Sequence, residues 1–222
     1  GYDAYALDNN RNTRSDEPRR HAQEASYLAF NASTTLSDAV LGEVAVGWVD
    51  SDMAYGYDED WTFDGFHPFS YRSTDLYLRD VETRTADVRL LSAPGQGLVD
   101  GAVDWLVGLY ALDKEVDFSR DYTFAGGMFS SNYAIDRLAL YGELAANLTD
   151  DMRISVGLRA EQHESSYRDS AGVQFSPDDD LVGGRLLLER SLASGNLLYM
   201  SLTRGYKAGG FNTDGSLDAD LR

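Results

Sequence analysis

Along much of this chain apolar residues fall at every second position, with polar or charged residues between them. Val40, Gly42, Val44, Val46 and Trp48 form one such row, and Val103, Trp105, Val107, Leu109 and Ala111 form a second. Leu138, Leu140, Gly142, Leu144, Ala146 and Leu148 make a third, and Met152, Ile154, Val156, Leu158 and Ala160 a fourth. None of these rows holds a charge. The alternate positions carry Glu43, Asp104, Glu143, Asn147, Arg153, Arg159 and Glu161, and further along Arg185, Glu189 and Lys207. Period-two patterning belongs to β-strands. It predicts about nine extended segments, at residues 2–7, 22–34, 40–52, 78–92, 99–116, 133–148, 152–167, 181–192 and 197–211. Many exceed the ~5–6 residues usual in globular sheets. Several reach the ~9–11 residues that a tilted strand needs to cross a bilayer.

The connections sharpen the prediction. Tight breaks at residues 36–38, 93–97, 149–151 and 193–196 alternate with long ones at 8–21, 53–77, 117–132 and 168–180. An up-and-down membrane barrel has short turns on one side and long loops on the other. The expected fold class is therefore all-β, an antiparallel up-and-down transmembrane β-barrel. An Arg or Lys at mid-depth on the lipid face costs roughly 2–4 kcal/mol, so a charge-free row is what lipid demands. A soluble sheet with one buried face also excludes charge from that face. A soluble acidic β-sheet binding module, lectin-like or adhesive, is thus the alternative reading. Bacterial barrels have even strand counts, and the odd count here points to part of a larger barrel, of the ~22-strand plugged kind. No stretch approaches ~18 uncharged apolar residues, so no transmembrane helix is predicted. Any crossing falls to strands. The opening GYDAYALDNN lacks the basic start and apolar run of a secretory signal.

Composition narrows the function classes. Of 222 residues 43% are hydrophobic and 12% aromatic, which is not a disordered composition. The formal net charge of −18 would repel phosphate backbones, so nucleic acid is excluded as a partner. Cysteine is absent, which removes disulfides and thiolate metal sites.

Three motifs add a family resemblance. The first is Thr203-Arg204-Gly205-Tyr206-Lys207-Ala208-Gly209-Gly210-Phe211-Asn212. The second runs from Leu140-Tyr141-Gly142-Glu143-Leu144 through Leu148-Thr149-Asp150 to Gly157-Leu158-Arg159. The third is Trp105-Leu106-Val107-Gly108-Leu109-Tyr110. Together they resemble barrel segments of TonB-dependent outer-membrane receptors, over roughly residues 86–212. The resemblance implies a receptor and transporter in the outer membrane of a Gram-negative bacterium, not an enzyme. Its expected partners are membrane lipid, a plug domain of the same receptor, a TonB-type energy transducer and a scarce small-molecule nutrient such as a ferric siderophore. Residues 1–222 are expected to be part of the barrel domain. No segment resembles the plug or a TonB box. The rising strand 197–211 is expected to place Tyr206 and Phe211 in the outer aromatic girdle and Lys207 toward the lumen.

Candidate chemistry concentrates in the loops. Residues 50–64 carry Asp50, Asp52, Asp58, Glu59, Asp60 and Asp64 among Tyr55, Tyr57, Trp61 and Phe63. Clustered carboxylates can hold Ca²⁺, although the spacing is not that of an EF-hand. The ligand-contact candidates are Asp52, Tyr57, Asp58, Asp60 and Trp61, with Phe118 from the next long loop. Glu143, Arg159, Arg185 and Lys207 are expected to face the lumen, as plug contacts or as a cross-strand ladder that holds register. His21, His67 and His163 are far apart, and no H-E-x-x-H or G-x-S-x-G occurs. A serine and His163 brought together by the fold is the remaining hydrolase possibility. No catalytic residue and no metal ligand set is assigned.

Overall fold

A computed structural model of the chain describes residues 15–124 and 127–213. The predicted strand at 2–7 lies outside the described residues. The rest forms one antiparallel sheet: β1 (Arg20–Ser37), β2 (Val40–Asp58), β3 (Thr74–Ser92), β4 (Val103–Tyr122), β5 (Gly127–Thr149), β6 (Met152–Asp169), β7 (Gln174–Phe175), β8 (Asp178–Ser191) and β9 (Leu197–Arg204). Each strand pairs with the next in chain order, except that β6 pairs with β8 and the short β7 adds to the far end of β6. This is the up-and-down sheet expected from the alternation, in the form of a partial β-barrel. Among the described residues no helix is long and apolar enough to cross a membrane, which leaves crossing by strands open.

Register carries the charge-free rows from strand to strand. Val44 pairs with Val88, Val88 with Leu109, Leu109 with Leu140, Leu140 with Ala160 and Ala160 with Val182. The row stands exposed: Leu140 is 56% and Leu158 66% accessible, against 1% for Ala139 on the other face. We call the exposed apolar face outer and its opposite inner. Four positions further along, the outer face turns polar on β3, β4, β5, β6 and β8, while β2 ends its row at Trp48. Trp48, Arg84, Asp113, Asp136, Glu164 and Asp178 are successive cross-strand partners. The apolar belt therefore ends on a straight, charged edge.

Several predicted boundaries are corrected. At the near end the hairpins β1–β2, β5–β6 and β8–β9 turn just beyond the belt, as expected. At the far end the strands run on where loops were predicted. β2 continues through Asp58, β3 begins at Thr74, and β4 and β5 stay paired out to Tyr122 and Gly127. The predicted long loop 117–132 shrinks to residues 123–126. Beyond the belt the outer face turns polar and the inner face mixes aromatic with charged side chains, so backbone pairing persists while the apolar alternation that reveals strands fades. The predicted start of a strand at Val99 is also displaced. Residues 98–101 form a single turn, α1 (Leu98–Gly101), in which Val99 and Asp100 have φ of 55° and 54°. Gly101 follows at φ 86°, where a side chain would collide with the Gly95 carbonyl, so the turn closes and β4 starts at Val103. Finally β9 ends at Arg204 rather than 211.

Candidate functional site

The far end of the inner face holds the densest side-chain chemistry, and the register of β2, β3 and β4 builds it. Tyr55 pairs with Tyr77 and Tyr57 with Asp75; Tyr77 pairs in turn with Arg120, Arg79 with Phe118 and Asp75 with Tyr122. All of these residues share the inner parity. Direct cross-strand neighbours on one face are within contact distance, so the sheet assembles an aromatic and guanidinium wall.

Asp75 is its keystone, 1% exposed. Arg120 donates to it through Nε at 2.9 Å and Nη2 at 2.7 Å. The Tyr57 and Tyr77 hydroxyls donate to Asp75 Oδ2 at 3.0 and 2.9 Å. Burial pushes the Asp75 carboxyl up, but hydrogen bonds from Arg120, Tyr77 and Tyr57 and the Arg120 charge outweigh it and hold the group below the usual carboxylate range. Burial and hydrogen bonding to Asp75 push the Tyr57 and Tyr77 hydroxyls up, so both stay protonated donors. The Arg120 guanidinium lies 4.9 Å from the ring centres of both Tyr77 and Tyr122, and Arg79 lies 5.6 Å from Phe118. Such contacts favour a fixed cation over an aromatic face. Tyr55, at 44% exposure, offers an open ring beside them.

The predicted ligand contacts divide between places. Tyr57 and Phe118 fall on this inner wall; Phe118 sits within β4 and is 3% exposed, packed on Tyr77 and Phe129. Trp61 lies 6.1 Å from Tyr57, with Arg19 over its ring. Asp52 falls on the outer row of β2, opposite Asp80. Asp58 and Asp60 staple the loop: Asp58 accepts from the Asp16 and Trp61 amides, and Asp60 from Thr62 and Ser73. Among the described residues no group of three or more His, Asp or Glu side chains is placed to hold a metal ion. The Ca²⁺ possibility raised by the carboxylates of residues 50–64 therefore finds no assembled donor set among the described residues.

Glu143, Arg159 and Arg185 all take inner positions. Arg185 pairs with Glu143 at 2.7 Å, Arg153 with Asp104 at 2.6 Å and Arg89 with Glu43 at 2.6 Å, each across strands. Lys207 lies beyond β9 and belongs to no strand row. His163 is buried, and its Nδ1 accepts from Arg137 Nε at 2.9 Å. No serine hydroxyl reaches its Nε2 among the described residues. The predictions did not include Asp75, Tyr77, Arg79 and Arg120. The alternation Asp75-Leu76-Tyr77-Leu78-Arg79 was the available signal, a strand whose outer positions are still leucine.

Neither a protein-family model nor a curated protein matches the sequence. Solved structures do match in fold. The chain is similar to the ferric yersiniabactin uptake receptor FyuA from Yersinia pestis, with a TM-score of 0.71 and 18% identity, over 88% of this chain and 30% of that one. It is similar to the ferric citrate transporter FecA, with a TM-score of 0.66 and 14% identity, over 82% and 27% of the two chains. The copper transporter OprC gives a TM-score of 0.60 and 15% identity, over 82% and 31%. The chain thus spans about a third or less of the length of each. Its sheet has the β-barrel fold of TonB-dependent outer-membrane receptors.

Proposed function

We propose that this chain is a barrel section of an outer-membrane uptake receptor in a Gram-negative bacterium. In this reading the exposed apolar belt contacts lipid. The inner face surrounds a plug domain of the same receptor, and a TonB-type transducer in the inner membrane supplies the energy. The far end of the inner wall receives a small nutrient, of which a ferric siderophore is the leading class. Tyr57 and Trp61, with Tyr55 and Tyr77, supply rings and Arg120 a fixed cation for a planar or anionic ligand, and Phe118 packs behind them as support. Glu143, Arg159 and Arg185 line the interior below.

One observation carries the reading. A single sheet joins an unbroken, exposed, charge-free outer belt to a hydrogen-bonded, charged inner face. A soluble monomer rarely leaves an apolar patch of that extent uncovered, which counts against the soluble binding-module alternative. The fold is also that of proteins described as uptake receptors and transporters.

The test uses the full-length receptor in a Gram-negative host lacking its own siderophore receptors. Uptake of radioiron-loaded hydroxamate and catecholate siderophores is measured with and without the energy transducer. Transducer-dependent uptake that falls at least tenfold in a Tyr55→Ala/Trp61→Ala receptor is the expected result. Absence of uptake with both siderophore classes would remove the substrate class. A receptor that purifies as a monodisperse species without detergent would overturn the membrane reading.

A further inference from the structure

The segment after β9 does not continue the sheet. Residues 205–213 turn onto the inner face, so Tyr206 and Phe211 sit inside rather than in an outer girdle. Two anchors hold the segment there. The Tyr206 ring lies on Gly183 of β8, where a Cβ atom would stand 3.0 Å from its Cδ1 and Cε1. Glycine is what leaves room for this ring. The Tyr206 hydroxyl accepts from Arg159 Nε at 2.9 Å and donates to Glu161 Oε2 at 3.1 Å. The second anchor is Phe211. Its ring stacks on Tyr167 at 5.4 Å and on Phe175 at 5.6 Å, and meets Tyr133 edge-on at 5.6 Å. Just beyond, Ser131 Oγ donates to the Thr213 carbonyl at 2.6 Å.

The anchors bracket one row. Along the inner face of β6 the side chains run Arg159, Glu161, His163, Ser165 and Tyr167. Tyr206 grips the first two and Phe211 the last. His163 and Ser165 lie between and are 2% and 7% exposed. Arg137 satisfies His163 Nδ1, yet the buried Nε2 has no hydrogen-bond partner among the described residues. A buried polar group without a partner is costly and calls for an explanation. Here the seated segment leaves the wall beneath it incompletely bonded. Lifting it gives Nε2 a partner, either water or an oxygen of an incoming group. Two well-defined anchors over an incompletely bonded wall are what a displaceable element requires.

We propose that residues 205–213 are a displaceable latch, seated by Tyr206 on Gly183 and by Phe211 among Tyr133, Tyr167 and Phe175, that closes over His163 and Ser165. Its consequence for passage along the inner wall rests on the receptor reading above, but the latch itself is a property of the fold and is tested without transport. The full-length chain carrying Ser165→Cys is treated in outer-membrane vesicles with a small water-soluble maleimide, and the labelling rate is measured. The seated latch protects the thiol, so labelling is slow. Tyr206→Ala/Phe211→Ala, which alters only the latch, is expected to accelerate it at least tenfold. Gly183→Val, which blocks the Tyr206 seat from the sheet side, is expected to do the same. Heat-modifiable migration on gels confirms that each variant is a folded barrel, and the pair of variants keeps the test decisive where one misfolds. Fast labelling of Ser165→Cys alone, or rates unchanged by both unseating variants, overturns the latch. Protection released on unseating, together with absent siderophore uptake, leaves the latch standing and removes the siderophore substrate class.

Discussion

Replacing Asp75 by Ala should destabilise the far end of the sheet more than any single change to the belt or the ladder. The carboxylate is 1% exposed and accepts from two guanidinium nitrogens and two tyrosine hydroxyls. Its removal strands the Arg120 guanidinium, whose side chain is only 18% exposed. Breaking one partner out of a buried ion pair costs about 3–5 kcal/mol, whereas replacing both partners by apolar groups of similar volume is close to neutral. Asp75→Ala is therefore expected to lose about 3–5 kcal/mol, while Asp75→Leu/Arg120→Met recovers most of that. The measurement is denaturant unfolding of the full-length protein in detergent. A local report comes from Trp61, 6.1 Å from Tyr57, in a background where every other tryptophan of the full-length protein is replaced by Phe. The pH dependence follows from the lowered Asp75 carboxyl. Its contribution is fully present above the unfolded value near ~3.9 and is lost as pH falls through the lower folded value. The raised Tyr57 and Tyr77 hydroxyls keep theirs up to about pH 10 and lose it above, as pH rises through the folded values. Asp75→Asn should flatten the acid limb. A loss below about 0.5 kcal/mol for Asp75→Ala, the range of ordinary surface changes, would refute the keystone argument, as would a double variant no better than the single one.

Three further outcomes follow from the same geometry. Leu158→Arg, in the middle of the belt, should cost about 2–4 kcal/mol and impair folding into lipid vesicles, whereas Gln162→Arg, four residues along the same outer row, should cost about 0–1 kcal/mol; equal effects would misplace the belt. Gly108→Ala puts a methyl group inside the Tyr141 ring, displacing a hydroxyl that donates to both Asp87 oxygens at 2.8 and 2.9 Å, and should lower stability by about 1–3 kcal/mol, read by denaturant unfolding. Asp80→Asn should stabilise the protein slightly at neutral pH and low salt, because burial and the neighbouring Asp52, Asp117 and Asp50 push that carboxyl up. The gain should fade in high salt, where exposed charges are screened, and should vanish as pH falls through the raised folded value and then the unfolded one, leaving Asp80 neutral in both states.

The belt was legible in the sequence because a face proposed to meet lipid has little freedom. One charge in the Leu138–Leu148 row would cost a sizeable part of a typical margin of ~5–15 kcal/mol, so the row is written without one and its parity can be read directly. Tight turns were legible for a related reason: Thr149 and Asp150 interrupt two apolar rows where the belt ends. Beyond the charged edge at Asp113 and Asp136 that pressure is gone. Strand residues there alternate a polar outer face with a mixed aromatic and charged inner one, and 53–58, 74–77 and 117–132 read as loop although most of them are paired. Asp75 and Arg120 lie far apart in sequence, and only the register of β3 on β4 makes them neighbours. A shift of one residue would send Arg120 to the outer face. The latch was read as strand because Leu198, Met200 and Leu202 set a phase that seemed to continue. The phase stops at Arg204, and Gly205, Gly209 and Gly210 remove the side chains that would hold a strand in place.

The two faces exchange roles at the edge of the belt, and this exchange links the fold to the proposed function. Within the belt the outer face is apolar and charge-free, as the proposed lipid contact requires, while the inner face carries ions, so Arg185–Glu143 and Arg153–Asp104 hold register at partly exposed positions. Such pairs are worth little each, which would suit the proposed inner wall if it makes and breaks contacts with a plug. Past the belt the outer face becomes acidic, with Asp52, Asp80 and Asp117 directly opposite one another across three strands. Like charges in that arrangement oppose pairing, and water screens them there as lipid could not. The inner face past the belt does the reverse. It condenses into the Asp75–Arg120–tyrosine wall, whose donors are held in place by one another rather than by solvent. A preorganised set of rings and donors loses less entropy on meeting a ligand than a mobile one. The stability concentrated in Asp75 is thus located where a receptor would need its binding wall already built.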